Sequence, residues 1–271
     1  MKKCRLCGKD VKSQRGLTKH LEGSKECHGH EMPRRDAIRE AEDVFDEWSS
    51  PMTNSQPKQV SIPPFPPEVL ADPYASFLIQ YFTTLVAHKK LPKYQFERRV
   101  DAIISMFLPG ILKQLRGWQV ELVVPEFPLK KPENNQSTNA DHLLFRQANG
   151  PESQEAWILF ELKTDSASVR DDQLGTYLSA LDRGMPQLLA DVETIAAASN
   201  ARAKYAELRT RVAHLPEDRP VELVYLSPCH VDIPAGRGLA LTFKELDNVS
   251  LPEFPAVWDL FRRIVLPNMG E

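Results

Sequence analysis

Two groups of residues in this chain have types and spacings suited to chemistry. The first is Cys4, Cys7, His20 and Cys27, spaced C-x2-C-x12-H-x6-C. Two thiolates on a tight turn, followed a dozen residues later by an imidazole, can surround one tetrahedral Zn2+. Cys27 is the favoured fourth ligand, because a thiolate binds zinc strongly and the loop EGSKE can close the long gap. His28 and His30 are its rivals. The second group is Glu161 and Lys163, opposite charges one residue apart in the stretch AWILFELKTD, residues 156–165. Burying an unpaired carboxylate or ammonium costs several kcal/mol or more, so these two must pair, face solvent or hold an ion.

The elements that must position these residues are legible in outline. Alternation along a strand puts Trp157, Leu159, Glu161 and Lys163 on one face and Ile158, Phe160 and Leu162 on the other. A strand apolar on both faces is usually central, covered by helices above and below, with charge only where the sheet opens. Helices are expected over 74–90 and 95–115, the second interrupted by Pro109. Strands are expected over 120–130, 141–147 and 156–165. A helix over 168–184, capped by Ser168, is followed by a long helical stretch ending near His214, and a further strand covers 220–228. Upstream, Ala37, Ala41, Val44, Phe45 and Trp48 recur at helical spacing after Pro33, and a segment rich in proline and polar residues follows. The division expected is 1–30, a small metal-binding head; 31–70, helix and linker; and 71–271, the main domain.

Charge is uneven along the chain. Residues 1–35 carry ten basic against four acidic side chains, a net of +6, which leaves −9 on the rest of a chain whose total is −3. A basic head on an acidic body suits contact with phosphates through the head. Three of the four cysteines lie in that head, a distribution that suits a metal site better than a disulfide framework. No apolar run approaches the length of a membrane span, and MKKCRLCGKD lacks the apolar core of a signal peptide. A cytoplasmic protein without membrane contact is expected.

The head resembles the two-cysteine, two-histidine zinc finger of ββα form, with Val11 and Leu17 at the positions of that finger's small core. The resemblance implies that Ser13, Arg15, Gly16 and Lys19 face nucleic acid. Arg15 and Lys19, four residues apart, fit a solvated helix face equally well.

In the main domain, Asp141, Glu161 and Lys163 on successive strands of a helix, three-strand, helix, strand order resemble the PD-(D/E)XK nuclease superfamily. QLGTY at 173–177 resembles the Gln-x3-Tyr motif of its RecB-like members, with Gln173 and Tyr177 on one helix face. Ala140 stands where the motif's name has proline. The resemblance spans roughly residues 90–230 and implies an α/β fold, a restriction-endonuclease-like mixed sheet flanked by helices. It also implies a nuclease dependent on Mg2+ or Mn2+, with Asp141, Glu161 and the carbonyl of Leu162 holding the metal. Lys163 would polarise the attacking water, Gln173 and Tyr177 would contact substrate phosphate or orient Lys163, and Glu97 would supply a further acid. His142 points away from Asp141 and is expected to be a structural strand histidine. The implied partner is nucleic acid, DNA ahead of RNA, with a homo-oligomer or partner protein left open. The competing reading is a catalytically silent nucleic-acid-binding protein or adaptor built around a Glu–Lys ion pair.

Overall fold

Backbone pairing starts at the N-terminus. In the computed structural model, which describes residues 2–3, 10–11, 64–130, 137–150 and 154–270, β1 (Lys2–Lys3) runs antiparallel to β2 (Asp10–Val11). The two strands belong to a unit spanning Met1–Gln59, and a larger unit spans Val60–Glu271. Cys4, Cys7, His20 and Cys27, the rivals His28 and His30, the contact residues Ser13, Arg15, Gly16 and Lys19, and the Ala37–Trp48 helix all lie outside the described residues.

In the larger unit, β3 (Gln119–Lys130), β4 (Ser137–Gln147) and β5 (Ala156–Leu162) form an antiparallel meander. β6 (Val221–Ser227) and β7 (Gly238–Thr242) continue the sheet in parallel, giving the order β3-β4-β5-β6-β7. β5 is central and buried at all seven positions, as its two apolar faces require. The prolines of β3, Pro125 and Pro128, sit on an edge strand, where a missing N–H costs least.

Five helices of this unit cover the sheet. Ile158, Phe160 and Leu162 pack into a core with α2 (Pro73–His88), α3 (Phe96–Arg116) and α7 (Pro255–Ile264). Trp157, Leu159 and Tyr225 pack into a second core with α4 (Asp171–Ala198) and α5 (Arg202–Val212). Two short helices, α1 (Pro67–Ala71) and α6 (Phe243–Leu246), complete it, the former inside the stretch expected as linker. No helix among the described residues is long and apolar enough to cross a membrane.

Two local expectations are corrected. Pro109 does not interrupt α3: the apolar face from Val100 through Leu112 packs across it, and that burial outweighs the roughly 3 kcal/mol an interior proline costs. Ser168 does not cap α4. It ends a 3-10 turn, Ser166–Ser168, whose cap is Asp165 accepting from the Ser168 N–H at 2.8 Å, and α4 starts three residues later. The helix expected to end at Gly184 does break there, with a φ of +69° that suits only glycine well, and helical structure resumes to Ala198 and again through α5 to Val212.

Candidate active site

The antiparallel ladder between β4 and β5 pairs His142 with Phe160, and the next residue of each strand is an acid, Asp141 and Glu161. Both point to the α4 side of the sheet, in phase with Leu143 and Leu159. Asp141 Oδ2 accepts from the backbone N–H of Leu162 at 2.7 Å, so the carboxylate itself ties the two strand ends together. Lys163 follows, its N–H bonded to the Leu226 carbonyl at 2.9 Å and its Nζ 2.5 Å from Glu161 Oε1.

Helices on opposite faces complete the cluster. From α4, the Gln173 amide donates to Glu161 Oε1 at 2.7 Å and reaches Tyr177 Oη at 3.1 Å. Tyr177 Oη donates to Glu161 Oε2. From the first turn of α3, Glu97 Oε1 lies 3.4 Å from Lys163 Nζ, and its Oε2 accepts from the Thr164 N–H at 3.2 Å. Asp141, Glu161, Lys163, Gln173, Tyr177 and Glu97 are thus all gathered at one end of β5. Gln173 and Tyr177, four apart on one helix face, engage Glu161 and make no hydrogen bond to Lys163. Their spacing along the helix suits reaching one carboxylate from two sides.

Burial sets the electrostatics. Glu161 is 1% exposed, and burial raises its carboxyl above the usual range despite the charge and hydrogen bond of Lys163. Burial also pushes Asp141 up to about 8, with the neighbouring Glu161 adding to the rise and the Leu162 N–H opposing it. For Lys163, burial disfavours the ammonium, but Glu161, then Glu97 and Asp141, together hold it above its ordinary value. Burial and then Glu161 raise Tyr177 in the same way. Three carboxyl groups, Asp141, Glu161 and Glu97, thus face one lysine here.

Residues not foreseen contribute to the site. Asp101 lies one turn beyond Glu97 on α3, and its Oδ1 is 2.7 Å from His142 Nε2. The i, i+4 spacing of Glu97 and Asp101 was a signal available in the helix pattern. His142 lies under the sheet, beside Phe160, as a structural residue should, although its buried Nδ1 has no partner among the described residues. Tyr225 pairs with Glu161 across the parallel β5–β6 ladder, and its buried hydroxyl is also without a partner. Nothing in the local sequence around Tyr225 distinguishes it from a core aromatic.

Among the described residues no group of three or more His, Cys, Asp or Glu is disposed as a metal cluster. Asp141 and Glu161 provide two hard carboxyl oxygen donors on adjacent strands, and a cation would favour their ionised forms. That donor set fits Mg2+, which is commonly held by one or two carboxylates together with water and substrate phosphate. Comparisons with known proteins found no matching family model, no matching curated protein and no matching solved structure.

Proposed function

We propose that this protein is a divalent-cation-dependent nuclease that hydrolyses phosphodiester bonds, DNA ahead of RNA, with a zinc-binding N-terminal head that targets it to substrate or partner. The observation that carries this reading is the convergence of Asp141 and Glu161 with Lys163 at the open end of the central strand, with Gln173 and Tyr177 fixing Glu161 from α4. Asp141, Glu161 and the Leu162 carbonyl would hold Mg2+ or Mn2+. When bound, such a cation neutralises charge developing on the scissile phosphate and acidifies water. Lys163 keeps its proton and offers a charged donor to the attacking water. Gln173 and Tyr177 keep the Glu161 carboxylate from rotating, and Glu97 positions Lys163 from the far side. Cys4, Cys7, His20 and Cys27 would hold Zn2+, with Ser13, Arg15 and Lys19 turned to nucleic acid.

A second reading rests on a specific contact: both oxygens of Glu161 already meet protein donors, as they would in a structural ion pair of a catalytically silent binding protein or adaptor. Glu161→Ala and Lys163→Ala separate the two. In a nuclease, both abolish Mg2+-dependent cleavage of labelled DNA or RNA while oligonucleotide binding persists. In a silent protein the wild type cleaves nothing with Mg2+ or Mn2+, and either substitution only lowers the melting temperature, by the equivalent of about 3–5 kcal/mol for a broken buried pair.

A further inference from the structure

Three of the eight exposed large hydrophobic side chains among the described residues lie together on one helix. Tyr74, Phe77 and Tyr81 of α2 are 81%, 65% and 41% exposed. At spacings of three and four residues they form a single stripe, about 10 Å long from first to last. The Phe77 and Tyr81 rings are nearly parallel, their planes 13° apart. One face further along the same stripe is His88, whose ring meets Tyr94 edge-on at 5.6 Å, and Arg99 lies over the Tyr94 ring at 4.6 Å. The stripe therefore runs from open helix surface into the α2–α3 connection, which delivers Glu97 to the acid cluster.

That connection is basic in a particular way. Most arginines of this unit are neutralised by a carboxylate, as Arg116 is by Glu245, Arg170 by Asp172 and Arg237 by Asp182. Lys90, Lys93 and Arg98 are exposed and make no ion pair among the described residues; Lys113, Lys204 and Lys244 share that state elsewhere, whereas these three lie within nine residues of one another beside the stripe. Lys93 also has φ of +64°, a left-handed backbone that few lysines adopt. A cluster of uncompensated cations beside exposed rings, on a unit that is acidic overall, suits an anionic occupant.

From this geometry we infer that the α2 stripe and the α2–α3 connection form a track for single-stranded nucleic acid leading to the acid cluster. The aromatic rings would stack on successive bases, and Lys90, Lys93 and Arg98 would take the phosphates. Exposed π-faces beside unpaired cations are the combination that single strands require, because every unpaired base offers a face to stack on. In a duplex those faces are occupied by neighbouring base pairs. The inference deepens the nuclease reading and rests on it for the meaning of the cluster, but its own evidence lies outside the cluster.

The test is binding of the zinc-loaded full chain with Mg2+ and Mn2+ omitted, so that no cleavage intervenes, to fluorescent oligo(dT), oligo(U) and a DNA duplex of equal length. Tyr74→Ala/Phe77→Ala/Tyr81→Ala should weaken single-strand binding tenfold or more and leave duplex binding unchanged. Lys90→Glu/Lys93→Glu/Arg98→Glu should weaken binding to all three and flatten its salt dependence. Should the triple aromatic variant fail to fold, Tyr74→Ser/Phe77→Ser, confined to the two most exposed rings, gives the same comparison. The ratio of oligo(dT) to oligo(U) affinity identifies which single strand is preferred. Single-strand affinity unchanged in the aromatic variants overturns the track. So does a wild-type dimer, seen by sedimentation, that the aromatic variants convert to monomer with no change in nucleic-acid binding. A wild type that binds single strands through this stripe but cleaves nothing with Mg2+ overturns the nuclease reading alone.

Discussion

At the scale of single residues, one carboxylate organises the site. Glu161 receives Lys163, Gln173 and Tyr177 at once, and each donor comes from a different position in the chain. Tyr177→Phe should therefore leave a buried carboxylate short of one donor, lowering stability by about 1–3 kcal/mol in thermal melts and slowing cleavage more than it weakens oligonucleotide binding. Asp141 makes a prediction about pH. Its folded pKa, about 8, lies above the ordinary value of 3.8, so the metal-free folded state holds a proton that the unfolded chain has released between those values. The stabilising contribution is complete below about pH 4 and is lost as pH rises through 8. Relative to Asp141→Asn, the wild type in EDTA should lose melting temperature across that window. Mg2+ should restore it increasingly toward high pH, since the cation binds the ionised form. A wild type and Asp141→Asn whose melting temperatures track each other from pH 5 to 9 would remove Asp141 from this account.

At the scale of elements, the approach of β7 to β6 depends on a glycine. A Cβ at Gly238 would stand 2.1 Å from the Leu223 carbonyl oxygen, which is backbone and cannot swing aside. Gly238→Ala should destabilise by about 2–3 kcal/mol through displacement of the edge strand. Gly175, in α4, has nothing within 4 Å of its added methyl and an ordinary helical backbone. Gly175→Ala should stabilise by about 0.5–1 kcal/mol, the difference in helix propensity. Opposite shifts in denaturant midpoint for the two alanines are the expected result. The same strand shows why part of the sheet was not legible in the sequence. RGLALTF, residues 237–243, is short, and its pairing with β6 is bought by a close backbone approach that no side-chain pattern announces.

At the scale of the molecule, the division at Gln59 separates a basic head from an acidic body. Purified protein should carry one zinc per chain, and Cys27→Ser should lower the metal content measured by mass spectrometry. Unchanged zinc in that variant would transfer the fourth position to His28 or His30. Val60–Glu271 has its own two-sided core, so removal of the head should leave a body that melts cooperatively. A molten body would mean that the upstream segment contributes to its core.

The central strand, its two apolar faces and the charge at its open end were determined by the sequence alone, because period-two alternation and the cost of burying charge are local facts about AWILFELKTD. So were the helices carrying Gln173, Tyr177 and Glu97, whose apolar spacing specifies which face is buried. The partners of those residues were not. Gln173 and Tyr177 meet Glu161 rather than Lys163, Asp101 turns to His142, and Tyr225 stands beside Glu161 with a hydroxyl that has no partner among the described residues. Each of these depends on the register of one strand against another or the seating of a helix on the sheet, which links residues from 12 to more than 60 positions apart. Local pattern specifies which side of an element faces inward; only packing of the assembled layers decides which atoms meet there.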